Sequence, residues 1–160
     1  MKFAESYLRT RDIDWFFIVN NHYIHVASNG GFIPNFVNDV SRLREEQARV
    51  SQLPINQDSD FVINSEYVDS RLSRVMENLG NRIKDFINIE ELHNSYLSSF
   101  IEMAKKGFYS YDRALEDNKK FTLICYPKKQ FIVDIKLLEM NKKEIEISED
   151  YMQLYIKTMI

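Results

Sequence analysis

The chain has one cysteine, Cys125, so no disulfide can form within it and nothing in its thiol content calls for an oxidising compartment. Four glycines and three prolines in 160 residues exclude long flexible linkers and low-complexity segments. No stretch approaches the roughly 18 consecutive apolar residues of a membrane-spanning helix. Glu5 and Arg9 interrupt the opening residues, so no cleavable leader is expected there. With three histidines and one cysteine, metal ligands are scarce too. His22 and His25 are the only close pair, and three apart on a strand they point to opposite faces, so no metal site is expected. No cofactor fingerprint is present, and a soluble cytoplasmic chain is the expectation.

Apolar side chains are plentiful: 44% of residues are hydrophobic and 13% aromatic, enough to build one core, read as a single domain over 1–160. Charge is unevenly spread. Residues 1–104 hold 10 Lys and Arg against 15 Asp and Glu, and residues 105–160 hold 11 against 9. The late lysines come as doublets (105–106, 119–120, 128–129, 142–143), a pattern of solvated element ends, whereas nucleic acid normally requires a denser basic stripe. A nucleic-acid partner is therefore disfavoured.

The richest segment is Trp15 to Gly31. Trp15-Phe16-Phe17-Ile18-Val19 favours strand, Asn20-Asn21 can take the positive φ of a two-residue turn, and His22 to Ala27 returns. This predicts Val19 opposite His22, Phe17 opposite Ile24 and Trp15 opposite Val26. The other face pairs Ile18 with Tyr23, Phe16 with His25 and Asp14 with Ala27. Such a hairpin is apolar on both sides and must be covered on both, by its own chain or by a partner.

Helical periodicity follows over about 35–52, with Phe36, Val40, Leu43, Gln47 and Val50 on the buried stripe and Arg42, Glu45, Glu46 and Arg49 opposite. Residues 53–64 are polar linker with a short edge strand at Phe61-Val62-Ile63. A second helix is predicted from Ser65 to Ile87, with Leu79 in the core and Gly80 marking close packing. A third runs from Ile89 to Lys106, capped by Asn88 and ended by Gly107. Phe108 to Arg113 reads as an aromatic loop. Strands are expected at 121–126, 131–139 and 144–147, then a final helix capped by Ser148. Since every legible strand connection is a tight turn, the expected fold is α+β. An antiparallel sheet of about five strands, the N-terminal hairpin plus a C-terminal three-strand meander, packs with three long helices and short terminal ones.

Asp14, His25 and Ser28 have the residue types of a hydrolase triad, but no nucleophile-elbow motif surrounds Ser28, and His25 is read as a structural histidine against Phe16. Cys125 is read as a buried, inert thiol. Ser28-Asn29-Gly30-Gly31 matches no phosphate-binding loop and is read as a hairpin exit. Tyr109, Tyr111, Asp112 and Arg113 are contact-type residues, with the equal alternative that Tyr109 and Tyr111 lid the core and Arg113 pairs with Asp112 or Asp117. The function expected on these grounds is a non-enzymatic binding protein: an accessory, inhibitory or self-associating module with a protein partner or a second copy, acting through the hairpin and the 107–113 segment. The alternative is a small enzyme or ligand-binding domain with a pocket of His25, Asp14, Tyr111 and Arg113. Candidate binding residues are Asp14, His25, Asn29, Tyr109, Tyr111 and Arg113; no catalytic set is assigned.

Overall fold

Asn20 and Asn21 both sit at positive φ, 47° and 62°. That is the backbone a type I′ turn requires, and it closes β1 (Asp14–Val19) onto β2 (His22–Ala27) in the register read from the sequence. Both faces of this hairpin are covered by the chain itself. Trp15, Phe17, Ile24 and Val26 enter a core with Tyr111, Phe121, Leu123, Leu154 and Ile156. Phe16, on the reverse face, packs with Val50, Phe108 and Leu137. Each such side chain contributes about 1.5–3 kcal/mol on burial.

The computed structural model describes residues 1–80, 86–131 and 133–157. Besides the hairpin these form α1 (Glu5–Thr10), α2 (Val40–Gln52), β3 (Phe61–Ile63), α3 (Ser65–Asn78), α4 (Ile89–Lys105), β4 (Phe108–Arg113), β5 (Lys120–Pro127), β6 (Ile145–Ile147) and β7 (Gln153–Ile156). The strands make one mixed, curled sheet in the order β1-β2-β4-β5-β7-β6, with β3 on the C-terminal half of β5. Hairpin and C-terminal strands thus share a sheet, as expected, but β4 joins them.

The predicted loop at 108–113 is instead a central strand. It runs parallel to β2 and antiparallel to β5. Three of its six residues are aromatic, which suits a pleated buried surface. The sheet is consequently mixed rather than antiparallel, because the connection from β2 to β4 is a long crossover containing α2, α3 and α4.

Other expectations are corrected as well. Among the described residues of 131–139 no strand forms: Val133 and Leu137 are buried and Asp134 and Lys136 exposed, a strand-like alternation, but no ladder is made. Its backbone bonds to β1 near its end, where Ile18 N–H donates to the Leu138 carbonyl and Met140 N–H to the Ile18 carbonyl; earlier along it the Val133 carbonyl accepts from the Tyr23 hydroxyl and Leu137 packs on Phe16 and Phe108. The predicted final helix is replaced by the β6–β7 hairpin. Asp150 Oδ1 accepts from the Ser148 hydroxyl and from Met152 N–H, so the predicted capping residues build a turn instead. α2 begins at Val40, capped by Asp39 accepting from Arg42 N–H, rather than at 35. In α2 it is Glu46 that is buried, with Gln47 only half-buried. Leu79 is the half-buried C-cap of α3, not a core residue, and a Cβ at Gly80 would meet nothing. α3 ends at Asn78 where the expected helix ran to Ile87, and positions 81–85 of that expected helix, Ile83 among them, lie outside the described residues. No helix among the described residues is long and apolar enough to cross a membrane.

Candidate functional site

Sheet register decides which polar groups meet. Asp14 and Phe16 stand opposite Ala27 and His25 across the hairpin, and His25 and Ala27 stand opposite Ser110 and Asp112 across β2–β4. Alternation along each strand therefore puts Asp14, Phe16, His25, Ser110 and Asp112 on one face. α4 covers that face through Leu97, Phe100 and Ala104, and its cap at Asn88 fixes where it starts, with Asn88 Oδ1 accepting from Glu90 and Glu91 N–H. Between the strand ends and α4 remains a cleft of about 410 Å³, bordered by Asp12, Asp14, His25, Asn29, Arg71, Tyr96, Ser99, Phe100, Met103 and Asp112.

His25 forms its floor. The residue is 1% exposed, and its ring has Phe16 at 5.5 Å and Phe100 at 6.3 Å between centroids. Nε2 lies 2.8 Å from Asp14 Oδ1 and Nδ1 lies 2.5 Å from Ser110 Oγ. A carboxylate only accepts, so Nε2 carries the proton, and in the neutral ring Nδ1 accepts from the Ser110 hydroxyl. The Asp14 side chain is half exposed and presents its remaining acceptor capacity to the cleft.

At the far side, Asp112 is held by three donors. Tyr96 Oη donates at 2.7 Å, Arg71 Nη2 pairs at 3.1 Å with the same oxygen, and Arg113 N–H donates to the other. Burial outweighs the Arg71 charge and pushes the Asp112 carboxyl above its usual range; burial likewise pushes the Tyr96 phenol up. Arg71 is further fixed by donating to the Arg113 carbonyl and the Tyr67 hydroxyl.

The aspartate–histidine–serine chain resembles a nucleophile relay in composition, but its geometry argues against one. Ser110 Oγ belongs to a fully buried residue that does not line the cleft, so an acyl carbon has no path to it. Ser28, the serine singled out from sequence, is also fully buried; its Oγ accepts from Ile13 N–H and donates to the Arg11 carbonyl. Cys125 is buried in the α4-side core, where burial pushes its thiol up to about 12, matching an inert thiol. His22 and His25 do face opposite ways: His22 stacks on Tyr151 at 4.3 Å. Among the described residues no three His, Cys, Asp or Glu side chains gather as a metal set.

Of the residues singled out from sequence, Asp14, His25 and Asn29 border the cleft together. Asn29 adopts φ 48° and donates its N–H to Asp12 Oδ1. Tyr109, Tyr111 and Arg113 lie on the opposite sheet face. Tyr109 is half-buried and stacks on Tyr126, and Tyr111 is buried and donates its hydroxyl to the Tyr151 carbonyl. Arg113 is buried over the Phe121 ring and donates to the carbonyls of Ser28, Phe32 and Asn118, tying three loops together; burial draws its pKa down to about 10. These three residues do not meet His25.

Sequence reasoning missed Asp12, Arg71, Tyr96 and Ser110. The i,i+4 spacing of Tyr67 and Arg71 was a visible signal, but Ser110 reaches His25 only through a parallel ladder joining segments 85 residues apart. The chain was compared with protein-family models, curated proteins and solved structures, and none of them matches it.

Proposed function

We propose that the chain is a non-enzymatic binding domain whose site is the cleft at Asp14 and His25, taking a small polar ligand with an apolar body. The observation that carries this reading is the cleft itself, about 410 Å³ with Phe100 and Met103 for apolar contact and with the half-exposed Asp14 carboxylate held in place by the buried His25. Accessory, inhibitory or self-associating roles built on the hairpin lose their support, because the hairpin's large side chains are consumed by the chain's own cores. A cytoplasmic location goes with the proposal, on the ground that the single thiol is buried and forms no cross-link.

The test is a fragment screen by amide NMR with neutral, anionic and cationic compounds, on the full chain and on Ser99→Trp. Ser99 is exposed on the cleft wall, so a large ring there plugs the mouth without entering the core. Binding fragments should shift the amides of Ala27, Asn29 and Phe100 and lose that effect in the plugged variant. Fragments that bind only elsewhere, or bind the plugged variant equally well, refute the assignment. The enzyme alternative retains the His25–Ser110 contact in its favour. Ester hydrolysis by the chain that Ser110→Ala abolishes, with the variant still folded, would favour it over simple binding.

A further inference from the structure

The cleft beside His25 continues past Asp14 into a second recess of about 400 Å³ between α2 and α4, and Asp12, Asp14 and Met103 border both. Apart from His25 beneath Asp14, six charged side chains border the two recesses, and four of them pair off. Arg71 meets Asp112 at 3.1 Å, and Lys106 meets Glu102 at 3.6 Å while donating to the Val50 and Ser51 carbonyls. That leaves Asp12 and Asp14 at the junction with no Lys or Arg in salt-bridge contact among the described residues, the buried Arg113 feeling the Asp12 charge only from longer range. Each uses one oxygen internally, Asp12 for Asn29 N–H and Asp14 for His25. Among the described residues no donor reaches the second oxygen of either.

Two like charges with unused acceptors thus share the junction of two recesses, beside the apolar walls of Phe100 and Met103. Asn29, which also borders the first recess, carries a neutral amide acceptor, so three residues with acceptor side chains border it. An ammonium group has three donors and one positive charge, which suits this set, and an attached alkyl or aryl body suits the walls. A hard divalent cation, by contrast, prefers six or more oxygen ligands, which this junction does not supply.

We propose that the junction of the two recesses is an ammonium site, binding a small organic amine with its charge between Asp12 and Asp14 and its apolar body along Phe100 and Met103. The proposal rests on the cleft being the chain's binding site. It goes further in assigning the ligand's charge and its contacts.

The experiment titrates the full chain at neutral pH, followed by amide NMR, with three compounds of one shape: phenethylamine, 2-phenylethanol and phenylacetate. A blocked lysine, Nα-acetyl-lysine methylamide, presents the same ammonium as a protein side chain does. Phenethylamine should shift the Ala27, Asn29 and Phe100 amides with a Kd of about 1 mM, at least about tenfold tighter than the alcohol or the acid. Asp12→Asn and Asp14→Asn should each weaken the amine about tenfold. Asp12 is exposed, so its variant keeps the fold even if loss of the Asp14 charge disturbs His25. Tighter binding of the blocked lysine than of phenethylamine supports the same ammonium site and gives its source as a protein lysine. Equal binding of alcohol and amine in the cleft, preference for the acid, or an unchanged amine affinity in Asp12→Asn overturns the ammonium assignment and leaves the cleft as a binding site. Absence of any cleft shift with all four compounds overturns both.

Discussion

Glu46 supplies the sharpest test of the electrostatics. Its residue is 2% exposed on α2, and its nearest cation, Arg42 Nε, stands 3.8 Å away and is itself partly in solvent. Burial is the dominant influence and raises the carboxyl from 4.5 to about 7, against the opposing pull of Arg42 and Arg49. Between these values the folded chain keeps a proton that the unfolded chain has released. The folded state then binds more protons, so stability falls as pH rises through the window and levels off above about 7. At 1.36 kcal/mol for each tenfold difference in acidity, the loss from this one group amounts to about 3 kcal/mol.

The perturbation is Glu46→Gln, which keeps the shape and removes the titration. Unfolding free energies of both chains, from urea denaturation between pH 4.5 and 8, should differ by a constant at the acid end. That constant absorbs the cost of burying an amide. The difference should then move by about 3 kcal/mol in favour of the glutamine variant as pH rises, because other titrating groups contribute equally to both chains. A difference that stays flat across the window, or moves in favour of glutamate, would refute the assignment of Glu46 as a carboxyl forced to ionise in the core.

Arg71→Met should destabilise by about 3–5 kcal/mol, since it leaves the buried Asp112 carboxylate without its cation; adding Asp112→Asn to the same chain should recover part of that loss, measured by chemical denaturation. Gly31→Ala places a Cβ 2.6 Å from Arg113 Cζ, so the guanidinium must leave the carbonyls it ties together; a loss of about 2–4 kcal/mol is expected, and a melting temperature unchanged from the parent would show that Arg113 does not brace those loops. Leu72→Ala, in the core between α3 and the sheet, should cost about 2–5 kcal/mol, while Leu79→Ala at the half-buried end of the helix should cost clearly less; the reverse order in denaturation midpoints would mean that α3 is rotated.

What could be read from the sequence was what is encoded locally. The Asn20-Asn21 turn, the hairpin register and the Asn88 cap depend on residues within a few positions of one another, and all are as expected. The errors share one cause: the local pattern was compatible with two outcomes. Glu46 lies three residues after Leu43 and four before Val50, so it falls on the buried stripe as naturally as Gln47 does. Ser148 and Asp150 offer the same acceptors to a turn as to a helix start. Phe108 to Arg113 follows directly on a helix end, its link to the antiparallel partner β5 is a six-residue, mostly polar stretch (114–119) rather than a two-residue hairpin turn, and its other partner β2 is reached only through three helices. Half of the site was therefore visible, Asp14 with His25, and the other half was not, since Ser110 and Asp112 arrive on the unseen strand.

That unseen strand also bears on what the proposed site could do. In a β4 of loop character, Ser110 would be free to present its hydroxyl next to His25, and a nucleophile would be conceivable. As a central strand it is flanked by β2 and β5 and roofed by α4, which fixes Ser110 beneath the histidine and away from the cleft. The imidazole then has one nitrogen engaged by a sealed hydroxyl and the other by Asp14, so its hydrogen-bonding capacity is spent on orienting that carboxylate. Under the proposed function, that half-exposed carboxylate, with Asp12 bordering the same cleft and accepting from Asn29 N–H, serves recognition of a donor-rich cation rather than bond-making at the serine. Ser110→Ala discriminates between the two: it should leave amine affinity in the cleft within about threefold of the parent, because Asp14 and its contact with Nε2 remain. A catalytic serine would instead take all turnover with it.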